Sequence, residues 1–182
     1  SLGISTTYAD LHGSDWREAI RPETRVILAE IPANPHMRVP DPAPLAEAAR
    51  RAGAAFLIDV TVATPLYFRG LEHGADLVMH SATKYLAGHS DVIAGALAGS
   101  AERIGAALER MKSFGASADP HAVFLLDRGM KTLALRMARH DANGRAVAAF
   151  LAGHPGVERV HHTSLPDHPD RAVADRLLSG DS

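Results

Sequence analysis

The chain of 182 residues has no cysteine, which excludes disulfides, thiolate nucleophiles and cysteine-ligated zinc, and is neutral on compartment. It also lacks any apolar run near the roughly 20 residues that a membrane-crossing helix needs. No basic, apolar, small-residue leader opens it. A soluble, cytoplasmic protein without a membrane partner is therefore expected. An excess of charge is missing too: 19 basic residues stand against 21 acidic ones, for a formal net charge of -2, so nothing electrostatic favours nucleic acid. What is there is a hydrophobic content of 46%, enough for one domain of ordinary size, or one plus part of another.

The middle of the chain alternates between strand and helix patterns. RVILAEI (25–31) is a short apolar run ended by Pro32 and Pro35, which reads as a buried strand and a loop. Asp41 then caps a helix with Pro42 at its first position, Leu45, Ala49 and Ala52 on one face and Gly53 past its end. AAFLID (54–59) and DLVMHS (76–81) are further apolar strands. Continuous apolar strands joined through helices predict an α/β fold, with a mostly parallel sheet covered on both faces.

Such sheets bind ligands beyond the carboxyl ends of their strands. Asn34, Asp59 and Lys84 each lie at or just after such an end, so three connections converge on one crevice. Lys84 sits in SATKYLAGHSD (81–91), among small hydroxyl and glycine neighbours. A lysine at a loop tip is either a solvated charge or an amine placed to form an imine with a carbonyl compound. Ser81 and Thr83 beside it offer hydroxyls suited to a phosphate. An amine for a carbonyl, a carboxylate for a cationic ring nitrogen and an amide for a ring hydroxyl together match what pyridoxal phosphate requires.

The segments EIPANP, LIDVTVATP, HGADLVMHSATKYLAGHSDVIAG and RGMKTLALRM, in this order and spacing, resemble the Cys/Met metabolism, or transsulfuration, family of pyridoxal-phosphate enzymes from about Glu23 onward. The resemblance implies part of a fold-type I transferase large domain over residues 1–140 and the start of a small α+β domain over 141–182. It implies Lys84 as the Schiff-base lysine, Ser81 and Thr83 as phosphate hydroxyls, Asp59 as partner of the pyridine nitrogen and Asn34 beside the ring hydroxyl. His89, Ser90 and Asp91 fall in a GHSD loop that shapes the lysine segment. His80 either packs or stacks on the ring, and packing is preferred. The implied reaction is elimination or replacement at the β or γ carbon of cystathionine, methionine or an O-acyl-homoserine, in a homotetramer built as a dimer of dimers.

Two departures accompany the resemblance. Where the family commonly carries Asp-Asn-Thr, this chain has Asp59, Val60 and Thr61, which puts in question the hydrogen bonding beside the pyridine. The family's N-terminal phosphate loop, its stacking aromatic and its C-terminal carboxylate-binding arginine have no counterpart here, and Arg128 and Arg136 belong to the RGMKTL helix instead. With a polar start at Ser1 and a stop in LLSGDS, an internal piece of a longer enzyme is expected. A catalytically inactive fragment and a non-catalytic interaction module are the alternatives, the module being disfavoured by the joint presence of Lys84, Asp59, Ser81 and Thr83.

The later region reads as scaffold. Ile104, Leu108 and Met111 mark one helical face, and Leu133, Met137, Val147 and Leu151 another. GVERVHH predicts a first strand of the small domain, and residues 170–178 its first helix, with Val173 and Leu177 inward. His154, His161, His162 and His168 lack metal-ligand spacing, and His161 and His162 on a strand would face opposite ways. They are read as surface histidines, and no metal is expected.

Overall fold

The computed structural model describes residues 3–13 and 15–178. At its centre lies one sheet in the order β1-β2-β3-β4, made of β1 (Val26–Glu30), β2 (Ala55–Asp59), β3 (Leu77–Ser81) and β4 (Gly95–Gly99). The first three strands run parallel and β4 runs antiparallel beside β3. The α/β class and the mostly parallel sheet agree with the apolar-run pattern. The sequence reading did not identify β4, because GALAG lacks the bulky branched residues that mark a strand and only its pairing with β3 makes it one.

Helix α1 (Pro42–Ala52) forms where the capping signals place it. Asp41 Oδ1 accepts from the Ala43 amide at 3.0 Å, Pro42 stands where no amide is needed, and Gly53 turns the chain out at φ 65°. Its Leu45 and Ala49 pack on the face of the sheet that carries Ala29, Phe56, Ile58 and Val78, residues that the parallel register brings side by side. Phe56 and Ile58 are fully buried, each worth about 1.5–3 kcal/mol of transfer free energy. The reverse face is different at the β1 edge, where Val26 and Leu28 are more than half exposed.

The remaining helices are α2 (Thr64–Tyr67), α3 (Ala101–Phe114), α4 (Pro120–Met130), α5 (Leu133–Ala152) and α6 (Arg171–Leu177). The RGMKTL segment is not one helix but the joint between α4 and α5, so Arg128 and Arg136 lie on different helices. On α3, Ile104 and Met111 are half-buried but Leu108 is exposed. On α5, Met137 and Ala148 are buried while Val147 is 55% exposed. At 3.6 residues per turn Ala148 falls almost directly below Met137 and Val147 falls on the flank.

Residues 156–162 do not form the expected strand, since no described strand lies beside them to complete a ladder. The helix after them is present as α6, and its Ala174 and Leu177 join the same core as α1, Phe56 and Ile58, with Val173 partly buried against it. The expected division near residue 140 falls inside α5, which is continuous.

One histidine expected on the surface is buried. His168 is 6% exposed, its ring lying between the His36 carbonyl and the Asp170 amide. Asp170 in turn receives Arg38 Nε at 2.6 Å and the Val39 amide at 2.9 Å, which ties the segment before α6 to the loop that leaves β1.

Candidate functional site

Because β1, β2 and β3 are parallel, their carboxyl ends share one edge of the sheet, and Glu30 lies in register with Asp59. Beyond that edge is a cleft of about 960 Å³ lined by Asn34, Asp59, Ser81, Thr83 and Lys84, with Glu30, Thr61, Tyr85, Arg136 and His140 also in its wall. All five residues singled out from the sequence are therefore brought together.

Lys84 projects from a tight turn directly after β3. The turn is closed by Lys84 N to Ser81 O at 3.0 Å, Ala87 N to Ala82 O at 3.0 Å and Gly88 N to Lys84 O at 2.8 Å. Ala82, Leu86 and Ala87 are buried while Lys84 is exposed, so the small residues root the turn and the amine faces the cleft. Lys112 pairs with Glu109 and Lys131 with Asp127. Among the described residues Lys84 has no such carboxylate partner.

Asp59 ends β2. Its Oδ1 accepts from the Thr61 amide at 2.9 Å and from Thr61 Oγ1 at 2.6 Å, and Thr61 Oγ1 accepts from the Ser81 amide at 2.7 Å. One hydroxyl thus links the ends of β2 and β3, and Asp59 Oδ2 keeps its capacity for a cationic N–H donor. Val60 is fully buried in the core on the other side of the strand. Strand alternation turns Val60 away from the cleft, and the polar contact to Asp59 at this end of β2 comes from Thr61.

The hydroxyls differ in their commitments. Ser81 Oγ makes no hydrogen bond to a described residue, whereas Thr83 Oγ1 accepts from the Ala94 amide at 3.0 Å and donates to the Ala94 carbonyl at 3.2 Å. Thr83 therefore staples the lysine segment to the start of β4 with its single proton in use. Asn34 is exposed at the cleft rim. His89 Nδ1 meets the Ala87 carbonyl at 2.7 Å, a contact within the lysine turn, and Ser90 and Asp91 border the cleft.

His80 packs. It is 7% exposed, its Nδ1 has no partner among the described residues, and burial lowers its pKa, with Asp59 and a Val60 backbone contact opposing. Glu30 is shifted the other way: burial raises its carboxyl, the Asn34 amide lowers it and Asp59 raises it further. The sequence reading passed over Glu30, although it ends an apolar strand just as Asp59 does.

Arg136 on α5 also went unassigned. Its Nη1 donates to the Tyr85 carbonyl at 2.8 Å, Nη2 to the Gly129 carbonyl at 2.8 Å and the Leu86 carbonyl at 3.4 Å, and Nε to Thr132 Oγ1 at 3.0 Å. With four of its five N–H groups engaged in this way, it has no N–H fork left for a ligand carboxylate. One turn on, the His140 ring meets the Tyr85 ring edge-on at 5.3 Å. Among the described residues no group of three or more His, Asp or Glu is placed to hold a metal ion, and no helix is long and apolar enough to cross a membrane.

The family described as Cys/Met metabolism PLP-dependent enzyme matches residues 1–182. The chain is 45% identical to an L-methionine gamma-lyase of Pseudomonas putida over 98% of its own length and 46% of that enzyme. It is 40% identical to a cystathionine gamma-lyase of Bacillus subtilis over 95% of its length and 46% of that one. The crystal structure of a cystathionine gamma-lyase from Lactobacillus plantarum, complexed with L-serine, superposes with a TM-score of 0.90 at 36% identity, covering 96% of this chain and 46% of that one. The chain thus spans about half the length of the curated relatives it matches.

Proposed function

We propose, from the premise that this chain belongs to the Cys/Met metabolism family of PLP-dependent enzymes, that its cleft is the part of a transsulfuration-type active site that holds the reactive lysine. The observation that carries the proposal is Lys84, a lysine without an ion-pair partner among the described residues that faces a cleft also lined by Asp59 and Ser81.

The donor set fits pyridoxal phosphate. Lys84 Nζ would hold the cofactor covalently, Asp59 Oδ2 would accept from its protonated ring nitrogen, and Ser81 Oγ would donate to its phosphate. Thr83 would contribute there only by exchanging its bond to the Ala94 carbonyl for one to the phosphate, and Asn34, at the cleft rim, would stand beside the ring hydroxyl. When bound, the cofactor supplies an electron sink for the α-carbon of an amino acid. The chain's own part would be to orient that substrate and, once the substrate's amino group has displaced Lys84 Nζ, to take the α-proton on the freed amine. Thr61, through its amide and its hydroxyl on Oδ1, would keep Asp59 Oδ2 aimed at a cationic ring nitrogen.

We extend the proposal to the substrate class, a sulfur amino acid or O-acyl-homoserine that undergoes β or γ elimination or replacement. The names of the relatives support this, and the residues above serve both routes. A dimer-of-dimers assembly in the cytoplasm and a division between large and small domains near residue 140 belong to the same proposal. Exposed Phe124, Leu135 and Phe150 on the helices are consistent with such assembly.

The test is to mix the purified chain with pyridoxal phosphate, reduce with borohydride and map the modified lysine. Label concentrated on Lys84, and lost in Lys84→Ala, is the expected result. Label spread evenly over Lys84, Lys112 and Lys131 would reject Lys84 as the reactive amine of this chain.

A further inference from the structure

The turn that presents Lys84 does not satisfy its own backbone. Main-chain donors reach the carbonyls of Ser81, Ala82 and Lys84, whereas those of Tyr85 and Leu86, the two residues directly after the lysine, receive no main-chain N–H among the described residues. Leu86 is only 7% exposed, so water is a poor substitute. The donors to both carbonyls come from Arg136, 50 and 51 positions away in sequence, and the same guanidinium reaches the Gly129 carbonyl at the end of α4. One planar cation therefore joins the lysine turn, the last turn of α4 and the first turn of α5.

Two glycines make room for this arrangement. A Cβ on Gly129 would lie 2.1 Å from the Ala87 carbonyl oxygen, and a Cβ on Gly88 would lie 2.1 Å from Arg136 Nη1. Gly88 also has φ +75°, which a side chain would strain. Thr132, Arg136 and His140 recur every four residues on one stripe at the start of α5: Thr132 Oγ1 accepts from Arg136 Nε, the guanidinium holds the turn, and the His140 ring meets Tyr85.

We infer that Arg136 is a positioning residue for Lys84, whose guanidinium, by holding the Tyr85 and Leu86 carbonyls, sets the direction in which the lysine amine enters the cleft. The inference rests on Lys84 being the reactive amine. It gives Arg136 a task other than gripping a substrate carboxylate, one that a lysine would perform poorly because an ammonium cannot span three carbonyls and a hydroxyl in one plane.

The experiment compares wild type, Arg136→Met and Arg136→Lys of the full chain by site-resolved amide exchange and by borohydride trapping of pyridoxal phosphate. In Arg136→Met the Lys84, Ala87 and Gly88 amides should exchange at least tenfold faster while those in the middle of α5 keep their rates. The share of trapped label on Lys84, against Lys112 and Lys131, should fall at least fivefold. Arg136→Lys should recover less than half of each loss. Unchanged exchange and unchanged label in Arg136→Met would overturn the inference. If that variant lacks the wild-type circular dichroism spectrum, Arg136→Lys decides, and wild-type exchange in its turn overturns the inference. If the wild-type chain traps no label preferentially on Lys84, the assignment of the reactive amine fails, and the exchange rates still decide whether Arg136 holds the turn.

Discussion

The α1-covered face of the sheet and the layer of α3 to α5 both carry large apolar side chains and bury them very differently. Under α1, Phe56, Ile58, Ile31 and Val60 are fully buried. On the helices, Phe114, Phe124, Leu135, Val147 and Phe150 are all more than half exposed, and α3 has no buried residue at all. The sheet face closes mainly on elements adjacent in sequence, a strand, its crossover and the next strand, with α6 added from the far end of the described chain. The helical layer reaches the sheet at the lysine turn, through Gly129, Arg136 and His140, and through α3, whose Arg103 pairs with Asp76, while leaving those five large apolar side chains exposed. Stability resides in the first region, and the reach of α5 into the cleft gives the second its part in the site.

Three variants test that contrast, in falling order of effect. Phe56→Ala should lower the unfolding free energy by about 3–5 kcal/mol, measured by urea titration, and a loss below 1 kcal/mol would mean that this face is not the main source of stability. Asp170→Asn comes next. Burial raises the Asp170 carboxyl, but hydrogen bonds from Arg38 and the Val39 amide, with His12 adding to them, hold it below the ordinary carboxylate value. Arg38 is one third exposed, so solvent screening tempers the pair and the loss at neutral pH should be about 1–2 kcal/mol. A depressed folded-state pKa stabilises above the unfolded value and is lost as pH falls through the folded one. The gap between Asp170→Asn and wild type should therefore be full near pH 6 and shrink below about pH 4; a gap that widens in acid would contradict this linkage. Phe124→Ser together with Phe150→Ser should change stability by no more than about 0.5 kcal/mol per site while raising the solubility limit in a concentration series. A large destabilisation instead would show that these rings are packed in solution.

Legibility from sequence followed the range of the interactions. Asp41, Pro42 and Gly53 bounded α1 because caps act over a few residues, and the apolar runs located β1 to β3. The candidate site was legible to the same degree, since Asn34, Asp59, Ser81, Thr83 and Lys84 all lie within a few residues of strand ends and all line the cleft. What escaped notice depended on distant partners. Strand β4 exists through its ladder to β3, Val147 lost the buried stripe of α5 to Ala148, and residues 156–162 stayed irregular for want of a pairing strand. His168 was read as surface although Asp170 and the His36 carbonyl draw it inside.

By itself the sequence determined the local vocabulary of this protein: the capped helix, the apolar strands and the chemical types of the residues at their ends, because periodicity and turn chemistry are set by neighbours along the chain. The tertiary structure alone decided how each side chain of the cleft is held and which residues from distant helices join it. Thr61 aims Asp59, Ala94 occupies Thr83, and Arg136 holds the turn beneath Lys84. Those assignments rest on hydrogen bonds across 2 to 51 positions, and except for the first, whose partners are near neighbours, their geometry exists only once the strands are in register and α5 is docked.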